Sequence, residues 1–151
     1  MPQSLARISL HIVFSTKERR AYLQSPQVRD EMFRMLGHHA NEAGCPPLRV
    51  GGWHDHAHVL CSLSRTVTVA GLVEALKRET SKWAKQRAPD LAMFYWQNGY
   101  GAFSVSQSLV GQVVEYIERQ PEHHGRMTFQ DEFRAICAKH GVPIDERYVW
   151  D

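Results

Sequence analysis

Hydrophobic residues alternate with polar ones near the start of the chain and recur at helical spacing further on. Between Ala6 and Phe14 every second side chain is apolar, which is typical of a half-buried β-strand. After Pro26 the apolar residues recur every three or four positions, and Gly44 with Pro46 ends this pattern. The pattern therefore predicts a strand followed by a helix.

The rest of the chain continues with similar signals. It predicts strands over residues 48–53, 56–63 and 100–106, and helices over residues 69–87, 109–120 and 128–139. The order is βαββαβ followed by two helices, which is the split βαβ, ferredoxin-like arrangement. We therefore expect an α+β fold with a four-stranded antiparallel sheet and two helices on one face. The other face is left for a ligand, a partner or the two additional C-terminal helices.

Length and composition fit an ordinary soluble globular protein. The chain has 151 residues, of which 43% are hydrophobic and 23% charged, so one domain over residues 1–151 is expected. Neither a membrane-spanning apolar run nor a signal peptide is apparent, and the expected location is cytoplasmic. The three cysteines are widely spaced and include no C-x-x-C pair, which argues against a disulfide framework and a thiolate zinc site.

A histidine-rich segment, HDHAHVL, covers residues 54–60. On a strand, His56 and His58 project from one face about 7 Å apart, within reach of one metal ion. Alternatively, they are two hydrogen-bonded histidines on a wet sheet edge. His54 continues the alternation, but it also suits the turn before the strand.

A second candidate is VVEYIERQ, residues 113–120, on a predicted helix. Tyr116 and Gln120 are four residues apart, so they lie one above the other at the margin of the apolar face and can point at the same object. The alternative is that Tyr116 is an aromatic residue at the edge of the core and Gln120 is a surface residue.

Positive charge is concentrated in two groups, although the net charge is only +2. One group follows the first strand and the other lies on helix 69–87; they comprise Lys17, Arg19 and Arg20, and Lys77, Arg78, Lys82 and Lys85. These groups become a nucleic-acid surface if they flank the histidine strand, and are otherwise solvated faces. The aromatic and glycine-rich residues 96–106 form either a stacking platform or simply the start of a strand.

The ordered set of motifs resembles a known family. DHAHVL, WQNGYGAFSV and YIERQ occur in that order, with HIVF near residue 11 and LKRETSKW at residues 76–83. Together they resemble the single-tyrosine HUH transposases of small bacterial insertion sequences, the IS two-hundred type. The resemblance covers nearly the whole chain.

The resemblance implies a metal-dependent enzyme that cleaves and rejoins single-stranded DNA. His56, His58 and Gln120 would hold Mg²⁺ or Mn²⁺, and Tyr116 would form a 5′-phosphotyrosine bond and free a 3′-hydroxyl. Such enzymes act on DNA hairpins as homodimers, with the tyrosine helix of one subunit completing the site of the other. The residues expected to contact the DNA backbone are Lys17, Arg19, Arg20, Lys77, Arg78 and Lys82.

Two other interpretations remain. HDHAHVL approximates the signature of histidine-triad nucleotide hydrolases or transferases, with His56 as the nucleophile. In that case Asp55 replaces an apolar residue, and Tyr116 and Gln120 have no role. A non-enzymatic single-strand-binding module would use the open sheet face, but it needs aromatic residues where the central strands carry histidines. Dependence on metal separates the transposase from both.

Overall fold

The computed structural model describes residues 3–151 and has the α+β architecture expected from the sequence. Four strands and five helices follow one another as β1 (Ser9–Ser15), α1 (Pro26–Glu42), β2 (Pro47–Trp53), β3 (His56–Ser62), α2 (Val69–Arg87), β4 (Gly101–Val105), α3 (Val110–Glu118), α4 (Gln120–His123) and α5 (Phe129–Lys139). There are 3₁₀ turns at Lys17–Arg19, Pro89–Leu91 and Gln107–Leu109. The sheet order is β2-β3-β1-β4, and every neighbouring pair is antiparallel. In the part of the chain described, no helix is long and apolar enough to cross a membrane.

The first layer consists of α1 and α2 packed against one face of the sheet. Both helices begin as the sequence predicts, because Ser25 and Thr68 accept hydrogen bonds from main-chain amides in the first turn. Alternate residues of β1 and β3 meet the apolar stripes of the helices in one buried core, which includes Ile12, Phe14, Val59, Met32, Leu36, Leu72 and Leu76.

The second layer consists of the C-terminal helices, which cover the other face of the sheet. A Cβ atom on Gly51 of β2 would lie 2.7 Å from the Ile117 Cγ2 atom of α3. One on Gly101 of β4 would lie 2.6 Å from the Phe133 ring of α5. Glycine at these two positions therefore lets the helices approach the sheet closely, and this face is not open.

Two predicted boundaries are wrong. β1 begins at Ser9 rather than at Ala6, because its pairing with both neighbouring strands starts there. The helix predicted over residues 109–120 ends at Glu118, and a new turn, α4, follows with Pro121 at its start. Proline suits the first turn of a helix, where no main-chain amide is needed, so it begins a turn here rather than ending one.

Candidate active site

Three histidines lie together on the sheet face that the C-terminal helices cover. Alternation along the strands brings His11 of β1 to the same face as His56 and His58 of β3. The ring centroids of His56 and His58 are 5.1 Å apart, and those of His11 and His58 are also 5.1 Å apart. His56 and His58 are fully buried, so the alternative of a wet sheet edge is wrong. The reason is the docking of α3, α4 and α5 above them.

Glu132 of α5 is the centre of the cluster, and the sequence analysis did not single it out. Its side chain is buried, and its Oε1 atom lies 3.2 Å from His58 Nε2 and 3.3 Å from His56 Nε2. The Nε2 atom of His124 lies 3.1 Å from the same oxygen. One carboxylate therefore joins the histidine strand to the C-terminal helices.

Tyr116 and Gln120 do point at the same object, and that object is Glu132. The Tyr116 hydroxyl donates a hydrogen bond to Glu132 Oε2, and Gln120 Nε2 donates to the same oxygen at 2.7 Å. The Gln120 Oε1 atom lies 2.8 Å from His56 Nε2. Gln120 is fully buried, so it is not a surface residue. The ring centroid of Tyr116 lies 5.8 Å from that of His58 in the same chain.

His54 does not take part in this cluster. It lies in the turn between β2 and β3, and its ring stacks on that of Trp53 with centroids 4.2 Å apart. The strand alternation begins only at His56, which is why the third histidine of the motif faces elsewhere.

His56 is surrounded by hydrogen-bond acceptors. Its Nδ1 atom lies 2.8 Å from Asp55 Oδ1, and its Nε2 atom faces Gln120 Oε1. Both ring nitrogens therefore carry protons when no metal is bound. Burial lowers the pKa of His56, but the hydrogen bonds to Asp55 and Glu132 outweigh burial and raise it to about 9.

His58 and His11 behave in the opposite way. Burial lowers the pKa of His58, and it lowers that of His11 to about 3, with the nearby His58 adding to the effect. The His11 Nε2 and His58 Nδ1 atoms are 2.9 Å apart, so these two neutral rings share one proton between them.

The negative charge of Glu132 changes the pKa of Tyr116. Burial would raise the pKa of Glu132, but the neighbouring His58 and hydrogen bonds from His124, His56 and His58 hold it far below its usual range. Burial and the negative Glu132 carboxylate raise the pKa of Tyr116 well above its ordinary value. In this arrangement Tyr116 is therefore a neutral phenol beside a charged carboxylate.

The donor atoms have the spacing that a divalent cation requires. His56, His58 and Glu132 offer ligand atoms that all lie within 4.8 Å of one another, and Gln120 Oε1 is 2.8 Å from the nearest of them. In octahedral coordination with bonds of about 2.1 Å, adjacent ligand atoms are about 3.0 Å apart. The separations of 2.8–3.3 Å found here match that distance. The cluster is a candidate metal site, with the cation replacing a proton of His56.

Sequence comparison identifies the family. The family described as "Transposase IS200 like" matches residues 4–120, which is most of the chain. The chain belongs to this family. The match ends at Gln120, so Glu132 and the whole of α5 lie beyond the matched segment.

Solved structures share the fold of this IS200-like transposase. A transposase candidate from Deinococcus radiodurans R1 superposes with a TM-score of 0.62 at 22% identity, covering 80% of this chain and 95% of that one. A REP-associated tyrosine transposase bound to a REP hairpin gives a TM-score of 0.60 at 14% identity, covering 84% and 74%. Among curated proteins, none matches the sequence.

A cleft of the transposase leads to Tyr116. It has a volume of about 390 Å³ and is lined by residues of β1, β4, α3 and α5, among them His11, Val113, Tyr116, Glu132, Ile136 and Lys139. Most of its wall is apolar, and Tyr116 is half-buried beside it. The cleft therefore adjoins the side chain of Tyr116.

Only one of the two basic groups of the transposase lies close to the histidine cluster. The loop with Lys17, Arg19 and Arg20 follows Thr16, whose amide donates to the carbonyl of Asp55 at 2.8 Å. The residues of α2 lie on the opposite face of the sheet. The Lys77 ammonium is held by main-chain carbonyls, while Arg78 and Lys82 pair with Glu79.

Proposed function

We propose that this IS200-like transposase cleaves and rejoins single-stranded DNA through a covalent bond to Tyr116. The proposal rests on one observation: Tyr116 and Gln120 meet His56 and His58 at one buried carboxylate, Glu132. The candidate nucleophile, Tyr116, therefore lies next to the candidate metal site. The chain belongs to a family of transposases.

In the proposed reaction, the Tyr116 oxygen attacks the phosphorus of one DNA phosphodiester, and the bond from phosphorus to the 3′ oxygen breaks. The products are a 5′-phosphotyrosine and a free 3′-hydroxyl, and attack by a 3′-hydroxyl reverses the step. Covalent catalysis keeps the phosphodiester energy for rejoining. A divalent cation, Mg²⁺ or Mn²⁺, bound by His56, His58, Gln120 and Glu132 would withdraw charge from the phosphate.

The protein groups prepare the tyrosine for this attack. Glu132 Oε2 accepts the Tyr116 hydrogen bond, so it fixes the direction of the phenol and is the nearest acceptor for its proton. Gln120 donates to the same oxygen and holds the carboxylate in place. Because the pKa of Tyr116 is raised, its oxygen must give up this proton as it attacks.

The proposed substrate is a single-stranded DNA hairpin. One structural neighbour is a tyrosine transposase bound to a REP hairpin, and the mostly apolar cleft of about 390 Å³ beside Tyr116 suits unpaired bases better than a duplex. The basic loop that adjoins Asp55 would contact the DNA backbone. Binding should therefore weaken steeply as salt rises.

The two other interpretations fit the geometry less well. A histidine-triad enzyme needs a free ring nitrogen on His56, but both of its nitrogens face acceptors and its pKa is raised to about 9. A single-strand-binding module would use the open sheet face, whereas α3 and α5 cover that face here.

The test is a search for a covalent adduct. Purified protein is incubated with Mn²⁺ and labelled single-stranded DNA from the flanks of its own gene, and adducts are resolved by denaturing gel. We expect the parent and Tyr148→Phe to form an adduct and Tyr116→Phe to form none, because Phe keeps the ring and loses only the oxygen. Peptide mapping that places the phosphate on another residue would refute the proposal.

A further inference from the structure

A second groove lies on the opposite side of the sheet from the histidine cluster. It runs between α2 and the segment of residues 94–100, and we call it the α2 groove. Its volume is about 420 Å³, within the range of small-molecule sites. It shares no lining residue with the cleft at Tyr116; its walls include Glu74, Lys77, Arg78, Tyr95, Asn98 and Tyr100.

Two lysines of α2 hold the main chain of this segment. The Lys77 ammonium donates to the carbonyls of Gln97 at 2.7 Å and Gly99 at 2.6 Å. Lys85, two turns further along the same side of α2, donates to the carbonyl of Phe94 at 2.6 Å. These bonds fix the shape of the groove.

The charges of both lysines lack an acidic counterpart. Within residues 3–151, no carboxylate lies within 4 Å of either ammonium group. Burial lowers the pKa of Lys77 to about 8, as expected for a desolvated ammonium that lacks an anion. Glu74, the carboxylate of the groove wall, lies 3.5 Å from Arg78, so an anion beside Lys77 would complete the charge balance.

Two tyrosine rings stand beside these ammonium groups. The Lys85 Nζ atom lies 4.0 Å from the centroid of the Tyr95 ring, and Lys77 Nζ lies 5.7 Å from that of Tyr100. Both tyrosines remain accessible, with 52% of Tyr95 and 39% of Tyr100 exposed. Accessible aromatic rings next to lysines are the combination with which proteins stack the bases of single strands and hold their phosphates.

Main-chain hydrogen bonds connect the wall of the α2 groove to residues next to the histidine cluster. The amide of Lys17 donates to the carbonyl of Tyr95 at 2.7 Å, and that of Thr16 donates to Asp55, next to His56. The basic loop after β1 therefore lies between the two sites.

We propose that the α2 groove binds one unpaired nucleotide of single-stranded DNA, with its base on Tyr95 or Tyr100 and its phosphate beside Lys77. The nature of this ligand rests on the proposed function, since DNA is the substrate proposed there. The groove itself is remote from Tyr116 and takes no part in bond breaking.

The test compares two double variants. Tyr95→Ala/Tyr100→Ala removes both rings, while Tyr95→Phe/Tyr100→Phe keeps them and is the matched control. Affinity for fluorescent (dT)15, and for a 15-unit abasic backbone, is measured by anisotropy without metal, so that no cleavage occurs. Circular dichroism and thermal melting verify that each variant is folded.

We expect the alanine variant to lose about tenfold in affinity for (dT)15, as stacking on aromatic residues predicts, and the phenylalanine variant to match the parent. Affinity for the abasic backbone should not change. An equal loss on the abasic backbone, no loss on (dT)15, or no binding of (dT)15 by the parent would overturn the inference. Because this assay needs no adduct, its result is independent of whether Tyr116 reacts.

Discussion

Binding of a divalent cation should release about one proton near neutral pH, because the cation replaces a proton on His56. Both nitrogens of His56 face acceptors, and its pKa is raised to about 9. At pH 7 the ring is therefore almost fully protonated, and its Nε2 atom has no free lone pair for a metal.

The size of the effect follows from this competition. Between pH 6 and pH 8 the apparent affinity should rise about tenfold per pH unit, because one proton is displaced throughout this range. Above about pH 9 the dependence should level off, since His56 is then already neutral. His58 adds little, because it can move its proton to Nδ1, facing His11, and remain neutral.

The assay is titration calorimetry with Mn²⁺ in two buffers of different ionisation enthalpy at pH 7. The difference between the two observed enthalpies gives the number of protons released. Asp55→Asn is the control: it removes the carboxylate beside Nδ1, so the pKa of His56 falls, fewer protons are released and the pH dependence flattens. Tight binding without proton release by the parent would refute this assignment of His56.

Two further predictions follow from the same cluster, and two concern the assembly of the protein. Glu132→Gln should weaken Mn²⁺ binding at least about tenfold, measured by the same calorimetry, and an unchanged affinity would exclude Glu132 as a ligand. His58→Ala should abolish the DNA adduct, and parent-like cleavage would contradict this. The same variant should lower the free energy of unfolding by about 1–3 kcal/mol, because it leaves the buried partners of His58 unsatisfied. Chemical denaturation measures this loss of stability. The protein should be a homodimer in sedimentation equilibrium, and finding only monomer at micromolar concentration would contradict this. If each chain uses its own tyrosine, mixing Tyr116→Phe with His58→Ala should restore no adduct.

Local patterns were sufficient to predict most of the fold. Alternation in β1 and β3 and the helical spacing in α1 and α2 involve residues close in sequence, so they are visible without the structure. The spacing of His56 and His58, and that of Tyr116 and Gln120, likewise predicted which side chains share a direction. The break at Arg119 was missed, because Pro121 suits the start of a helical turn as well as its end.

Burial of the histidines was not visible in the same way. Alternation shows that His56 and His58 share a face, but only the docking of distant helices decides whether that face is wet. Gly51 and Gly101 allow this docking, yet glycine in a strand pattern equally indicates a bulge. Coverage of the sheet therefore depends on contacts between segments that are far apart in sequence.

Glu132 shows what a stricter use of periodicity can detect. It lies next to Asp131 in the first turn of α5, where acidic residues favour the helix dipole and are usually exposed. However, the buried stripe of α5 runs through Phe129, Phe133 and Cys137, and Glu132 occupies the i+3 position of that stripe. A carboxylate at a buried position must be paired, and the buried histidines of β3 are the cations and donors that pair it here. A charged residue within an apolar stripe is thus a signal for a site. In this chain it connects α5, which lies beyond the family match, to the tyrosine and histidines within it.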